Sequence, residues 1–246
     1  MAAMPRLTVL GSCGAWPEAG RACAGFLLSH EDFHVALDLG YGAAPQLFRH
    51  VPADRLDAIV VTHEHPDHLA DVSALGRARH YTTDRKLPMH CTRGTVRRLA
   101  AMEPNPAPAE IFDLHDLGPE TDLGPFRLAA ALLPHHVPNY GVRFTTSRYT
   151  LAYTGDTGPA PQLTDLARDA DVLICEATLQ GAPPDSPRHL MTAAEAGQLA
   201  ASANVATLLL THFWPGSDRA VSVAEARTEF SGEVLAAEEG LMLNHA

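Results

Sequence analysis

The sequence predicts an α/β protein made of two sheets covered by helices, and three observations carry that prediction. Short runs rich in aliphatic and β-branched residues come in clusters. Amphipathic runs with helix start and stop signals are interspersed among them. A dense polar run follows directly on a continuous apolar strand, as it does where strand ends carry functional loops. The 246 residues, 46% of them hydrophobic, can bury a full core, and residues 1–246 are expected to form one domain.

The elements follow in order. Residues 7–11 read as a buried strand that ends in a glycine turn. Residues 25–29 and 33–37 read as a hairpin with His30-Glu31-Asp32 as its polar turn. A helix over 43–51 is stopped by Pro52. Ala58-Ile59-Val60-Val61 forms the centre of a strand over 57–62, buried on both faces. Residues 69–81 read as a helix. The proline-rich stretch 103–108 is expected to connect two halves. Beyond it, strands are expected at 126–133, 140–145 and 149–153, then a helix at 161–170 and a strand at 171–175. Thr192-x-x-Glu195 is a capping box that opens a helix over 191–202. A strand at 205–210, a helix at 223–230 and two short strands complete the chain.

Composition excludes several classes. No apolar run is long enough to span a bilayer. The start, Met1-Ala2-Ala3-Met4-Pro5-Arg6, lacks the parts of a signal peptide, so a cytoplasmic address is expected. Cys13, Cys23, Cys91 and Cys175 form no Cys-x-x-Cys pair and are expected to be buried or loop thiols. The net charge of −11 argues against a grip on long nucleic acid, although Arg93, Arg97 and Arg98 offer a local basic patch.

The dense polar run is His63-Glu64-His65-Pro66-Asp67-His68. His63 and His65 alternate across one residue and can turn toward a common point, while Pro66 redirects the chain. Two imidazoles suit one divalent ion, and a carboxylate with a further imidazole suits a second. These are ligands for zinc, manganese or iron.

His-x-His-x-Asp-His after a strand resembles the signature of the metallo-β-lactamase fold hydrolases. Further segments resemble that family in order: Asp38-Leu39-Gly40, His135 ahead of Gly141, Tyr153-Thr154-Gly155-Asp156-Thr157, and Leu208-Leu209-Leu210-Thr211-His212. The resemblance implies an αββα sandwich, two mixed sheets flanked by helices. It implies His63, His65 and His135 on one metal ion, Asp67, His68 and His212 on another, and Asp156 between them. The ions would be zinc or manganese. Asp38 would orient a ligand from behind. His136 competes with His135 for the first site; alternation along a strand would turn one of the pair away.

Glu176-Ala177-Thr178 and His189-Leu190-Met191-Thr192-Ala193 resemble segments of the ribonuclease Z-like branch. The resemblance implies His189 as general acid, Glu176 as its partner, and catalytic work by Asp67 beside them. The expected reaction is attack of a metal-activated hydroxide on a small phosphodiester, above all a 3′,5′-cyclic nucleotide. His135 and Asp156 lie too close in sequence to admit the branch's transfer-RNA-binding arm. A ribonuclease Z-like ribonuclease and a catalytically silent metal-binding or ligand-sensing protein are the other readings. Trp16, Tyr140, Phe213 and Trp214 neighbour the expected site loops and are candidates to wall a nucleobase pocket. The branch suggests a homodimer.

Overall fold

Why the ligand-bearing segments sit at strand ends follows from how each sheet is wound. The computed structural model describes residues 4–183 and 188–244; residues 1–3 of the expected cytoplasmic start, and His245, expected to be an ordinary surface or core residue, lie outside them. The chain divides into two units, Met1–Leu117 with Glu238–Ala246, and Gly118–Ala237.

The first unit opens with β1 (Arg6–Gly11), β2 (Gly25–His30) and β3 (Phe33–Leu39), which pair antiparallel, Leu28 facing Val35 across the hairpin. From β3 onward the pairing is parallel, through β4 (Ala58–Val60), β5 (Leu87–Cys91) and β6 (Phe112–Asp116). Parallel neighbours need crossovers. These are supplied by α1 (Ala43–Leu47), α2 (Pro66–Leu69), α3 (Val72–Thr82), α4 (Arg93–Met102) and α5 (Pro108–Ile111). Leu10, Leu27, Ile59 and Met89 on one sheet face pack with Leu47, Leu75, Leu99 and Phe112 in one apolar cluster. Residues on the opposite face, such as Phe26, Leu37 and Val60, are buried as well, hence the continuous apolar runs.

The second unit repeats the plan. Strands β7 (Thr121–Leu123), β8 (Phe126–Leu133), β9 (Asn139–Thr145) and β10 (Thr150–Tyr153) pair antiparallel. From β10 the sheet runs parallel through β11 (Val172–Glu176), β12 (Thr207–Thr211) and β13 (Glu233–Ala236). Helices α6 (Gln162–Ala167), α7 (Ala193–Ser202) and α8 (Arg219–Glu229) make the crossovers. The capping box forms: Thr192 accepts the Glu195 N–H, and the Glu195 carboxylate accepts the Thr192 N–H. Leu133, Leu173, Met191, Leu208 and Phe230 form this unit's core. The last strand, β14 (Met242–Asn244), pairs antiparallel with β1, Leu7 opposite Leu243.

Both sheets are therefore mixed, with orders β14-β1-β2-β3-β4-β5-β6 and β13-β12-β11-β10-β9-β8-β7. Among the described residues, no helix is long and apolar enough to cross a membrane.

Three expectations need correction. The helix expected at 69–81 is two helices, the first of which begins inside the histidine run, so Asp67 and His68 ride a helical turn rather than a loop. Pro66 sits at the first helical position, where its missing N–H costs nothing. The stretch 103–108 does not join the halves; it lies within the first unit, between α4 and α5, and the boundary falls after Leu117. Strands β5 and β6 and helix α4 went unread, because Pro88, His90, His115 and the three arginines break the expected alternation.

Candidate metal centre

In the first unit, β4 delivers the histidine run to its carboxyl edge, where open α/β sheets bind ligands. His63 and His68 are fully buried and Asp67 nearly so. His63 Nε2 and His65 Nδ1 lie 3.1 Å apart, so both ring nitrogens look toward one point. His68 Nε2 lies 3.7 Å from Asp67 Oδ2. The far sides of the His63 and His68 rings are fixed. Asp38, at the end of β3, is fully buried in a left-handed conformation (φ 52°). Its Oδ1 accepts the Thr62 N–H at 2.7 Å, and its Oδ2 accepts the Thr62 hydroxyl at 2.9 Å. The same Oδ2 lies 2.8 Å from His68 Nδ1. With its proton given to Asp38, Thr62 Oγ1 is left to accept from His63 Nδ1 at 3.0 Å. Asp38 thus orients two candidate ligands, one directly and one through Thr62. Ala15, also at positive φ (61°), donates its N–H to Asp67 Oδ2 at 2.7 Å.

In the second unit, the candidate ligands come from separate segments. Asp156 follows β10, His212 follows β12, and His135 sits in the bend between β8 and β9. Asp156 Oδ2 lies 3.2 Å from His212 Nε2 and 3.7 Å from His135 Nε2, so one carboxylate addresses both imidazoles. His135 Nδ1 lies 2.9 Å from the His189 carbonyl, which accepts its proton. His212 (φ 56°) has Nδ1 2.8 Å from the Thr178 hydroxyl. That hydroxyl donates to Glu176 Oε2 at 2.6 Å, so it accepts from His212.

Four imidazoles in the two units, His63, His68, His135 and His212, therefore carry the proton on Nδ1 and present Nε2 as a lone pair. Metal-ligating histidines show this pattern, their other ring nitrogen held by a carboxylate, carbonyl or hydroxyl. His63, His65, Asp67, His68, His135, Asp156 and His212 belong to His/Asp groups able to hold a metal ion, and their donor types fit zinc or manganese.

The remaining sequence candidates separate. Glu176, fully buried at the end of β11, accepts the Thr157 N–H on Oε1 (2.8 Å) and the Thr178 N–H and hydroxyl on Oε2. Burial, then Asp156, push its carboxyl well above the usual carboxylate range, against the pull of His212, Thr178 and Thr157. Among the described residues its hydrogen-bond partners are Thr157 and Thr178, not His189. The His189 ring lies instead against His136, with centroids 4.1 Å apart. His135 and His136 lie in a bend, so strand alternation does not apply to them; His136 is exposed while His135 faces Asp156. Phe213 is core, under the Arg219 guanidinium at 4.7 Å. All four cysteines are buried and outside any disulfide among the described residues, and burial raises the Cys91 thiol to about 12. The sequence reading gave no role to Thr62, Thr178 or Ala15. A threonine beside a ligand or a buried carboxylate at a strand end was the available signal for the first two; nothing local marked Ala15.

Comparison with known proteins identifies the family and the fold. A family model described as a beta-lactamase superfamily domain matches residues 35–213. An uncharacterized protein of Mycobacterium leprae is 35% identical over 248 residues, covering 96% of this chain and 87% of that one. The Bacillus subtilis protein named probable metallo-hydrolase YhfI is 29% identical over 96% of this chain and 98% of its own. Its crystal structure superposes with a TM-score of 0.90 at 28% identity, covering 98% and 99% of the two chains. A ribonuclease Z of Kineococcus radiotolerans is 30% identical over 84% of this chain and 82% of its own. The chain belongs to the beta-lactamase superfamily and is a metal-dependent hydrolase of the metallo-β-lactamase fold, without the long arm of ribonuclease Z.

Proposed function

We propose that the chain is a dinuclear phosphodiesterase that hydrolyses a small phosphodiester, a 3′,5′-cyclic nucleotide above all. The observation that carries the proposal is the Nδ1 tether of His63, His68, His135 and His212, which leaves each Nε2 for a cation. His63, His65 and His135 hold one ion in this reading, Asp67, His68 and His212 the other, and Asp156 bridges. Zinc or manganese there would acidify water at neutral pH and offset charge on the phosphoryl oxygens.

The chain's own residues do the rest. Asp38 and Thr62 hold His63 and His68 in orientation; Glu176, through Thr178, holds His212. Ala15 fixes the free rotation of the Asp67 carboxylate. His189, whose backbone carbonyl is tied to His135, protonates the leaving alkoxide. The ribonuclease Z relatives support a phosphodiester, and the short segment between His135 and Asp156 and the acidic balance support a small one over a long RNA. The reading includes one catalytic domain over both units, a cytoplasmic setting and a homodimer.

A ribonuclease is the second reading, favoured by the exposed arginines Arg93, Arg97 and Arg98 on α4. The test is catalytic efficiency of metal-reconstituted protein on cyclic AMP and cyclic GMP against linear dinucleotides and single-stranded RNA, at two salt concentrations. Turnover of the cyclic nucleotides with weak salt dependence is expected. Efficient, salt-sensitive RNA cleavage without cyclic nucleotide turnover overturns the proposal.

A further inference from the structure

The chain has two tryptophans, Trp16 and Trp214, and both stay about half exposed, at 47% and 45%. Of the four aromatics that neighbour the expected site loops in sequence, Phe213 is core and Tyr140 is half-buried in β9, so of these only the tryptophans keep large exposed faces. The backbone that carries Trp16 is firmly placed. The preceding residue, Ala15, donates its N–H to Asp67 Oδ2 at 2.7 Å, from a left-handed backbone that alanine adopts only when its surroundings impose it. The Trp16 N–H closes a tight turn on the Gly14 carbonyl at 2.7 Å. The base of the loop is also fixed. The Ser12 and Cys13 N–H groups both donate to the Ala22 carbonyl, Ala22 N–H donates to Glu239 Oε1, and Cys23 N–H donates to the Tyr41 carbonyl. A rigid loop thus carries an indole one residue beyond a bond to a candidate metal ligand, and leaves half its surface to solvent.

We propose that Trp16 is a specificity-determining residue, the stacking platform for the planar base of the phosphodiester. The proposal rests on the phosphodiesterase reading for the identity of the ligand. A phosphate held beside Asp67 carries its ribose and base outward, and an indole on a fixed backbone offers a flat heterocycle a large contact area at low conformational-entropy cost. A stacked platform also predicts tolerance: adenine and guanine esters are both accepted, because every base has a π-face.

Two tryptophans make the test direct. In Trp214→Phe protein, loaded with metal, all indole fluorescence comes from Trp16. Titration with AMP is expected to quench it, and titration with ribose 5-phosphate is not. By calorimetry, Trp16→Leu is expected to weaken AMP by about 5–150-fold, the fold-change equivalent to the usual loss of one stacked base. Ribose 5-phosphate affinity is expected to stay unchanged, and Trp16→Phe to restore most of the loss. Equal weakening of both ligands by Trp16→Leu overturns the proposal, as does quenching seen only in Trp16→Phe protein, where Trp214 reports. The two readings fail separately: phosphodiester turnover with no preference for AMP over ribose 5-phosphate removes the platform alone, and base-dependent quenching without any phosphodiester turnover removes the phosphodiesterase alone.

Discussion

The two units solve one problem by opposite routes. The first draws its candidate ligands from six consecutive residues at the end of one strand. The second draws His135, Asp156 and His212 from three separated segments. Behind the ligands the two converge. Each has a fully buried carboxylate at the end of a strand, a threonine hydroxyl that donates to it, and an imidazole Nδ1 that donates to the hydroxyl. Asp38 also reaches His68 directly, whereas Glu176 acts through Thr178. A dense cluster needs its rings fixed as much as a dispersed one, because an imidazole that turns about its bonds is no longer a defined ligand.

The comparison can be broken in four places. The largest effect is expected from Asp156→Ala, the one carboxylate addressing two imidazoles of the second unit: elemental analysis should fall well below two metal equivalents per chain, and nearly all activity should go. A fully occupied, active variant would remove Asp156 as bridge. Next is His189→Ala, which should retain the metals while turnover drops about 10²–10⁴-fold. The loss should shrink on bis-p-nitrophenyl phosphate, whose leaving group needs little protonation, and an equal loss on both esters would assign His189 to substrate positioning instead.

Thr178→Val and Thr62→Val test the shared device. Each should cost about 10–100-fold in metal affinity or activity. Thr178→Val should cost more, since Asp38 keeps its direct bond to His68 when the Thr62 hydroxyl is gone. Equal metal titrations for both variants and wild type would show the threonines to be passive.

The smallest effect concerns His90, buried in β5 and stacked on His115 at 4.9 Å. Burial first, then His115, push its imidazole down to about 4, opposed by Asp113. A folded-state value below the ordinary 6.5 means the unfolded chain binds the proton more readily. The stabilisation is therefore present above pH 6.5 and lost as pH falls toward 4. Hydrogen-exchange protection in β5, taken relative to the intrinsic rate at each pH, should fall over that window, and His90→Gln should flatten the acid limb of the melting curve. An unchanged acid limb would exclude His90 as its source.

The sequence by itself determined the first unit's cluster, because residues within one turn of a strand end must lie together whatever the rest of the chain does. It also determined most strands of both sheets, whose apolar runs have no other way to be buried, and the capping box at Thr192. Resemblance added the second unit's candidate ligands, each just beyond a legible strand. Local pattern failed at β5, β6 and α4, where polar residues interrupt the period, and at 66–69, where proline opens a helix instead of a loop. Only the tertiary structure decided which atoms serve the ligands. That Glu176 belongs to Thr178 and His212 rather than to His189, that His135 faces Asp156 while His136 faces outward, and that Ala15 holds Asp67 across 52 positions are matters of hydrogen-bond geometry. Such bonds join groups that sequence spacing leaves unrelated. They form because a buried donor or acceptor must find a partner wherever the folded backbone brings one within reach.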